Sequence, residues 1–171
     1  LRFVLGKYLY GFNEDKLEEI VSKKIMSNNL TISIAESCTG GMLSKKLTDF
    51  KGSSSFFKGG VVAYSNNIKE QLLEVPKDII DKRGAVSKEV ALEMSKNVSR
   101  KFKTDLGISI TGISGPSGGT ELKPVGLYYI SIKYNNIHFA KEFFFNINNR
   151  SIHREVVVNS ALNMIRLVLD G

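Results

Sequence analysis

The sequence predicts an α/β fold, a three-layer α/β/α sandwich around a mixed sheet that includes one antiparallel hairpin. Three observations carry that expectation. Segments with helical apolar spacing alternate with short runs that are apolar throughout, as in strands covered on both faces. Pro, Ser and Gly punctuate the elements, and no composition shift marks a linker between two units. Near the C-terminal end, two aromatic and β-branched runs flank Asn135-Asn136, a turn dipeptide.

Taken in order, Leu17, Ile20, Val21 and Ile25 recur at helical spacing, and Asn28-Asn29 end that helix. "LTISIA", Leu30 to Ala35, reads as a buried strand that leads through a Gly-containing turn into a helix with Met42, Leu43 and Leu47 on one face. "GGVVAYS", Gly59 to Ser65, is the second strand, and Ser65 caps a short helix carrying Lys69, Leu72 and Leu73. Pro76 restarts the chain as another short helix. Ser87 then opens a longer one through Val90, Met94 and Val98 to Lys101, a start placed by Ser87 alone because Val90 stands where a capping box would have Glu. "DLGISIT", Asp105 to Thr111, is the third strand and runs into the loop "GISGPSGGT". "VGLYYISIKY" and "IHFAKEFFFNI" form the hairpin, and the last helix takes Ile152, Val156, Val157, Leu162, Ile165 and Leu169.

The 171 residues carry 24 Lys and Arg against 17 Asp and Glu, a formal charge of +7. A single cysteine, Cys38, excludes an internal disulfide framework and a cysteine-only zinc site, and suits a reducing cytoplasm. The apolar runs are far shorter than the roughly 20 residues that span a bilayer, so no membrane partner is expected. The tightest lysine pairs, Lys23-Lys24, Lys45-Lys46 and Lys101/Lys103, are spread along the chain and mostly in helical segments, the pattern of solvated helix faces. Specific nucleic-acid binding is not expected. An anionic small substrate would use the same positive surplus at one site.

Four places can carry chemistry. "AESCTGG", Ala35 to Gly41, lies at a strand end that leads into a helix, where free N–H groups stabilise a developing oxyanion; the plainer reading makes Ser37 or Thr39 an N-cap. "VVAYSNNIK" puts Tyr64 at a strand end and Lys69 in the helix after it. Desolvation lowers the pKa of an amine enough to make it a general base to a serine, whereas an ordinary helix lysine is solvated. "TGISGPSGG" offers backbone N–H groups for an anion but matches neither the P-loop nor the dinucleotide fingerprint. In "NRSIHR", Arg150 and Arg154 fall on one helical face and suit a phosphate, or else are a surface pair. His138 and His153, the only histidines, have no carboxylate at ligand spacing, so no metal site and no cofactor are expected.

"AESCTGG", "GSSSFFKGGVVAYSNNIKEQLLEV", "GAVSKEVALEMS", "SITGISGPSGGTELKPVG" and "NRSIHREVVVNSAL" together resemble the C-terminal domain of the CinA competence/damage-inducible protein family, the PncC-type nicotinamide-nucleotide amidases. The likeness runs from about Leu30 to Leu169. It implies hydrolysis of the carboxamide of nicotinamide mononucleotide (NMN) to nicotinic acid mononucleotide and ammonia, without a metal. Carried over by motif, Ser37 resembles the family's nucleophile, Lys69 its general base and Tyr64 a partner in proton handling. Thr39 and Gly40, with Thr111 and Gly112, resemble positions near the substrate. Arg150 resembles the arginine of the family's "GDR" segment, which reads "NNR" here, and Arg154 follows one turn later.

The opening "LGKYLYGFNEDKLEEIV" resembles the joint that precedes this domain in two-domain CinA proteins, and the chain begins with Leu1. Residues 1–29 are accordingly read as a joint and first helix, and 30–171 as the amidase-like domain. A fragment of a longer protein is expected, partnered by an N-terminal domain with a separate nucleotide-hydrolysing activity. A homo-oligomer is also expected, with a dimer favoured. Cys38 adjoins Ser37 and, with Glu36 and Lys69, would mimic a Cys-Glu-Lys set; strand alternation predicts that only one of the two nucleophiles faces the substrate. The alternative to an amidase is a non-catalytic module that binds a nucleotide or a protein.

Overall fold

A computed structural model describes residues 15–171. The part of the expected joint that precedes Asp15 lies outside them. In chain order the elements are α1 (Leu17–Ser27), β1 (Ile32–Glu36), α2 (Met42–Thr48), a 3-10 turn (Ser53–Ser55), β2 (Phe57–Val62), α3 (Asn66–Gln71), α4 (Lys77–Arg83) and α5 (Lys88–Phe102). They are followed by β3 (Leu106–Gly112), β4 (Leu127–Tyr134), β5 (Ile137–Phe144) and α6 (Arg150–Asp170). The five strands form one mixed sheet in the order β2-β1-β3-β4-β5. β1 pairs in parallel with β2 and β3, while β3–β4 and β4–β5 are antiparallel. The expected α/β/α sandwich with one hairpin is therefore present, and Tyr134 pairs with Ile137 across the Asn135-Asn136 turn.

Period-two alternation divides the strands between two cores. Ile32 and Ile34 of β1, Leu106, Ile108 and Ile110 of β3, and Tyr128, Ile130 and Ile132 of β4 join Val21, Ile25, Leu43, Leu47 and the apolar face of α6 on one side. On the other side the strand residues are small. Ser109 Oγ donates to Ala91 O at 2.6 Å, Ser95 and Ser131 hydroxyls meet at 2.8 Å, and Ala35 joins Val90, Met94 and Val98. This small-residue face lets α5 lie close against the sheet, so the loops at the strand ends inherit a rigid base.

The two serine caps are the ones the sequence places, and α6 has a further cap that it did not. Ser65 and Ser87 accept from the amides of Ile68 and Val90, and Asn149 accepts from Ile152. Several bounds differ from expectation. β2 begins at Phe57 and ends at Val62, leaving Ala63 to Ser65 as the connection that places Tyr64 and caps α3. β3 continues to Gly112, and β5 stops at Phe144. In α6, Val157, Leu162 and Ile165 are buried as expected, with Val158 and Ala161 beside them, while Ile152 is 49% exposed. β5 is the exposed edge of the hairpin, so the sheet is less fully buried there than its aromatic wording suggests. Among the described residues no helix is long and apolar enough to cross a membrane.

Candidate active site

The chain leaves β1 at Glu36 and turns at once into α2. Glu36 is buried, and its carboxylate accepts from the amides of Gly41, Leu43 and Ser44 and from the Ser44 hydroxyl, at 2.7–3.1 Å. It therefore supplies the cap that the plainer reading gave to Ser37 or Thr39, since a carboxylate in the preceding residues satisfies several orphan N–H groups and complements the helix dipole. With that work done by Glu36, the Ser37 hydroxyl is left for other chemistry. Ser37 N–H donates to Ile110 O at 3.0 Å, which fixes the turn against β3.

Lys69 reaches Ser37 from the opposite layer. It is 1% exposed, and its Nζ lies 3.0 Å from Ser37 Oγ and donates to Ala63 O at 2.7 Å. Burial pulls its pKa below the 10.5 of a free lysine, with the nearby Cys38 opposing. No carboxylate among the described residues pairs with it to restore the charged form. The solvated-lysine reading of this position is thus overturned: the short helix α3 points the amine inward.

Ser37 and Lys69 open into a cleft of about 260 Å³. Its walls come from the turn after β1 (Ser37, Cys38), the β2–α3 connection and α3 (Tyr64, Asn66, Lys69), the α4–α5 turn (Ala85, Val86), the end of β3 and the loop after it (Thr111 to Gly115, Ser117, Gly118), and Arg150 at the start of α6. No Asp or Glu is among these residues, and Arg150 is. The cleft suits an anionic ligand.

The other sequence candidates divide clearly. Thr111 and Gly112 line the cleft, with Thr111 Oγ1 donating to Ala85 O at 2.8 Å; a Cβ at Gly112 would overlap the ring of Tyr128. Arg150 is fixed at the rim by two bonds, to Gly115 O at 2.6 Å and to the Tyr64 hydroxyl at 2.8 Å. Tyr64 is 62% exposed, so its hydroxyl accepts from Arg150 at the cleft mouth, and no bond links it to Ser37 or Lys69. Thr39, Gly40 and Arg154 form a separate joint. Arg154 donates to Thr39 O and its guanidinium lies over Gly40, where a Cβ would stand 3.0 Å from it, and none of the three lines the cleft. The two arginines share a helical face as expected, yet α6 meets the cleft rim with its first turn only, so the second arginine braces the turn that carries Ser37.

Both Ser37 and Cys38 line the cleft, contrary to the alternation argument, because alternation ends with β1 and both residues lie in the turn. Their chemistry separates them instead. Cys38 is 7% exposed, and burial pushes its thiol up to about 12, with a hydrogen bond from Ser114 and the Lys69 charge opposing. Such a thiol stays protonated and is a poor nucleophile. Neither histidine serves here: His138 bonds Ser95 and Leu92 O on the outer sheet, and His153 packs edge-on against Tyr128.

Asn66, the Ala85-Val86 turn and the Ser114–Gly118 segment were not singled out one by one by sequence. The Gly-Pro-Ser run of the loop was one signal, and the turn opens "GAVSKEVALEMS", a motif of the resemblance that did not say which of its residues reach the cleft. Glu36 had one, a lone carboxylate ending an apolar strand before a helix.

Comparison with known proteins places the chain among relatives that share its sequence and fold. A CinA-like protein of Dictyoglomus thermophilum is 46% identical over 166 residues, covering 97% of this chain, and one of Prochlorococcus marinus is 44% identical over 171 residues, covering 99%. The chain spans 40% of the length of each of these relatives. Among solved structures, the competence/damage inducible protein CihA of Agrobacterium tumefaciens superposes with a TM-score of 0.85 at 31% identity, over 94% of this chain and 100% of that one. A CinA superfamily protein of Klebsiella pneumoniae gives 0.86 at 25% identity, over 90% of this chain and 96% of that one. Residues 14–169 match the CinA C-terminal domain, and the chain belongs to that family.

Proposed function

We propose that the domain hydrolyses the carboxamide of nicotinamide mononucleotide through a Ser-Lys mechanism. The observation that carries this reading is the 3.0 Å contact between Ser37 Oγ and the buried Lys69 Nζ, whose environment favours the neutral amine. A neutral amine at that distance takes the hydroxyl proton as Ser37 Oγ attacks the amide carbon. The N–H groups that follow Ser37 receive the oxyanion; among the described residues the amides of Cys38 and Thr39 donate to no backbone carbonyl. Collapse breaks the C–N bond, and the proton held on Lys69 leaves with ammonia. Water then adds to the Ser37 ester with Lys69 again as base, releasing the carboxylate and restoring the hydroxyl.

The absence of acidic side chains from the cleft wall and the place of Arg150 at its mouth support a nucleotide over free nicotinamide. Ammonia release from NMN, nicotinamide and glutamine, measured side by side, tests the reading. Release from NMN well above the other two is expected. No release from NMN would leave the domain a binding module.

A further inference from the structure

Lys123 lies in the loop between β3 and β4, whose first half forms one wall of the cleft, yet Lys123 itself does not line the cleft. Its Nζ donates to Val86 O at 2.7 Å and to Arg83 O, two carbonyls of the α4–α5 turn. No carboxylate among the described residues pairs with it, so its hydrogen bonds within the protein go to backbone carbonyls. The turn is shaped for the contact: Gly84 has φ +76°, and a Cβ there would stand 2.9 Å from the amine. Lys123 is itself held in a tight local turn, its amide donating to Thr120 Oγ1 at 3.1 Å and its carbonyl accepting from Thr120 N at 2.8 Å.

We propose that Lys123 is a positioning residue that straps the 113–118 loop to the α4–α5 turn and so sets the distance between two walls of the substrate cleft. Arg83 closes α4, so its carbonyl is one of the orphan acceptors at the negative end of a helix, which favours a cation. Val86 is itself a wall residue; the same ammonium therefore joins a cleft wall to the loop that faces it. A charge-assisted pair of this kind stiffens a glycine-rich loop by adding a fixed contact to the facing turn. The effect on substrate rests on the amidase reading; the strap itself does not.

Lys123→Met keeps the stem and removes every donor, whereas Lys123→Gln keeps a neutral donor. With NMN as substrate, Lys123→Met should raise KM about tenfold with kcat changed less than about threefold, and Lys123→Gln should fall between it and the wild type. In hydrogen exchange, the amides of residues 113–119 should exchange about tenfold faster in Lys123→Met, while β1 and β3 keep their protection. Unchanged KM and unchanged exchange in that loop would overturn the proposal. So would equal loss of protection throughout the sheet, because that marks a merely structural lysine. If the wild type releases no ammonia from NMN, the amidase reading fails, and the exchange experiment decides the strap alone. If Lys123→Met does not fold, the Gln variant is judged by the same two readouts.

Discussion

Two neighbours in one turn, Ser37 and Cys38, share a cleft but not a chemistry, and the difference comes from what surrounds each. The Ser37 hydroxyl meets an amine at 3.0 Å, while the Cys38 thiol is held protonated by burial. Ser37→Ala should abolish ammonia release, and Cys38→Ala should keep most of it; rapid inactivation by iodoacetamide with protection by NMN would reverse the assignment. Lys69→Arg keeps the charge but supplies a group that stays protonated, so kcat should fall by a factor on the order of 10² or more. Lys69 also links function to pH. Its folded pKa is lowered, so between that value and 10.5 the unfolded chain binds the extra proton, and stability rises with pH. Thermal unfolding of wild type and Lys69→Met across a pH series should show the wild type gaining on the variant as pH rises toward 10.5. On the acid side kcat/KM should rise with pH as the amine is released from its proton. A flat difference in unfolding temperature would show that Lys69 carries no such shift.

At the scale of elements, caps decide where the reactive groups stand. Glu36 holds the first turn of α2 and Asn149 that of α6, and each lies one residue from a candidate site residue. Asn149 fills the place that Asp takes in the "GDR" pattern: its side-chain oxygen accepts from Ile152 N at 3.1 Å, and Arg150 becomes the first helical residue. Asn149→Asp should therefore preserve stability and activity. Asn149→Ala should cost about 1 kcal/mol of stability and raise KM for NMN by letting Arg150 drift, measured by denaturant melts and steady-state kinetics. If Asn149→Ala left KM unchanged, Arg150 would be held by Gly115 O and Tyr64 alone. Helix starts at Ser65 and Ser87 were legible because one side chain fixes each locally. The cap on α2 was not, because Glu36 reaches forward five to eight residues and no short motif states that. Arg154 stands outside the cleft lining for a related reason: helical spacing gave its face but not how far along α6 the cleft extends.

The whole molecule makes the cleft by bringing both helical layers to one end of the sheet. Ser37 hangs from β1, Lys69 comes from α3, and Arg150 from the start of α6. Periodicity and turn residues made the layers readable, and apolar alternation gave the two cores. What they did not give was the crossing of α5 over small residues, or the α4–α5 turn that closes the cleft, since these depend on contacts distant in sequence. On the proposed amidase reading, this assembly separates the reacting amide from the group that would read the remote end of the substrate. Tyr64 and Gly115 use only part of the Arg150 guanidinium, leaving N–H donors for a phosphate at the mouth, while Ser37 and Lys69 lie deeper. Arg150→Ala should accordingly cost about 2–4 kcal/mol in kcat/KM for NMN. Nicotinamide riboside, which lacks the phosphate, should be a poor substrate of the wild type and change little in the variant. The contrast between the two substrates is the measurement, because loss of the Tyr64 and Gly115 contacts alone would depress both together. Equal losses on both would make Arg150 a brace for the cleft loop, like Arg154 for the nucleophile's turn.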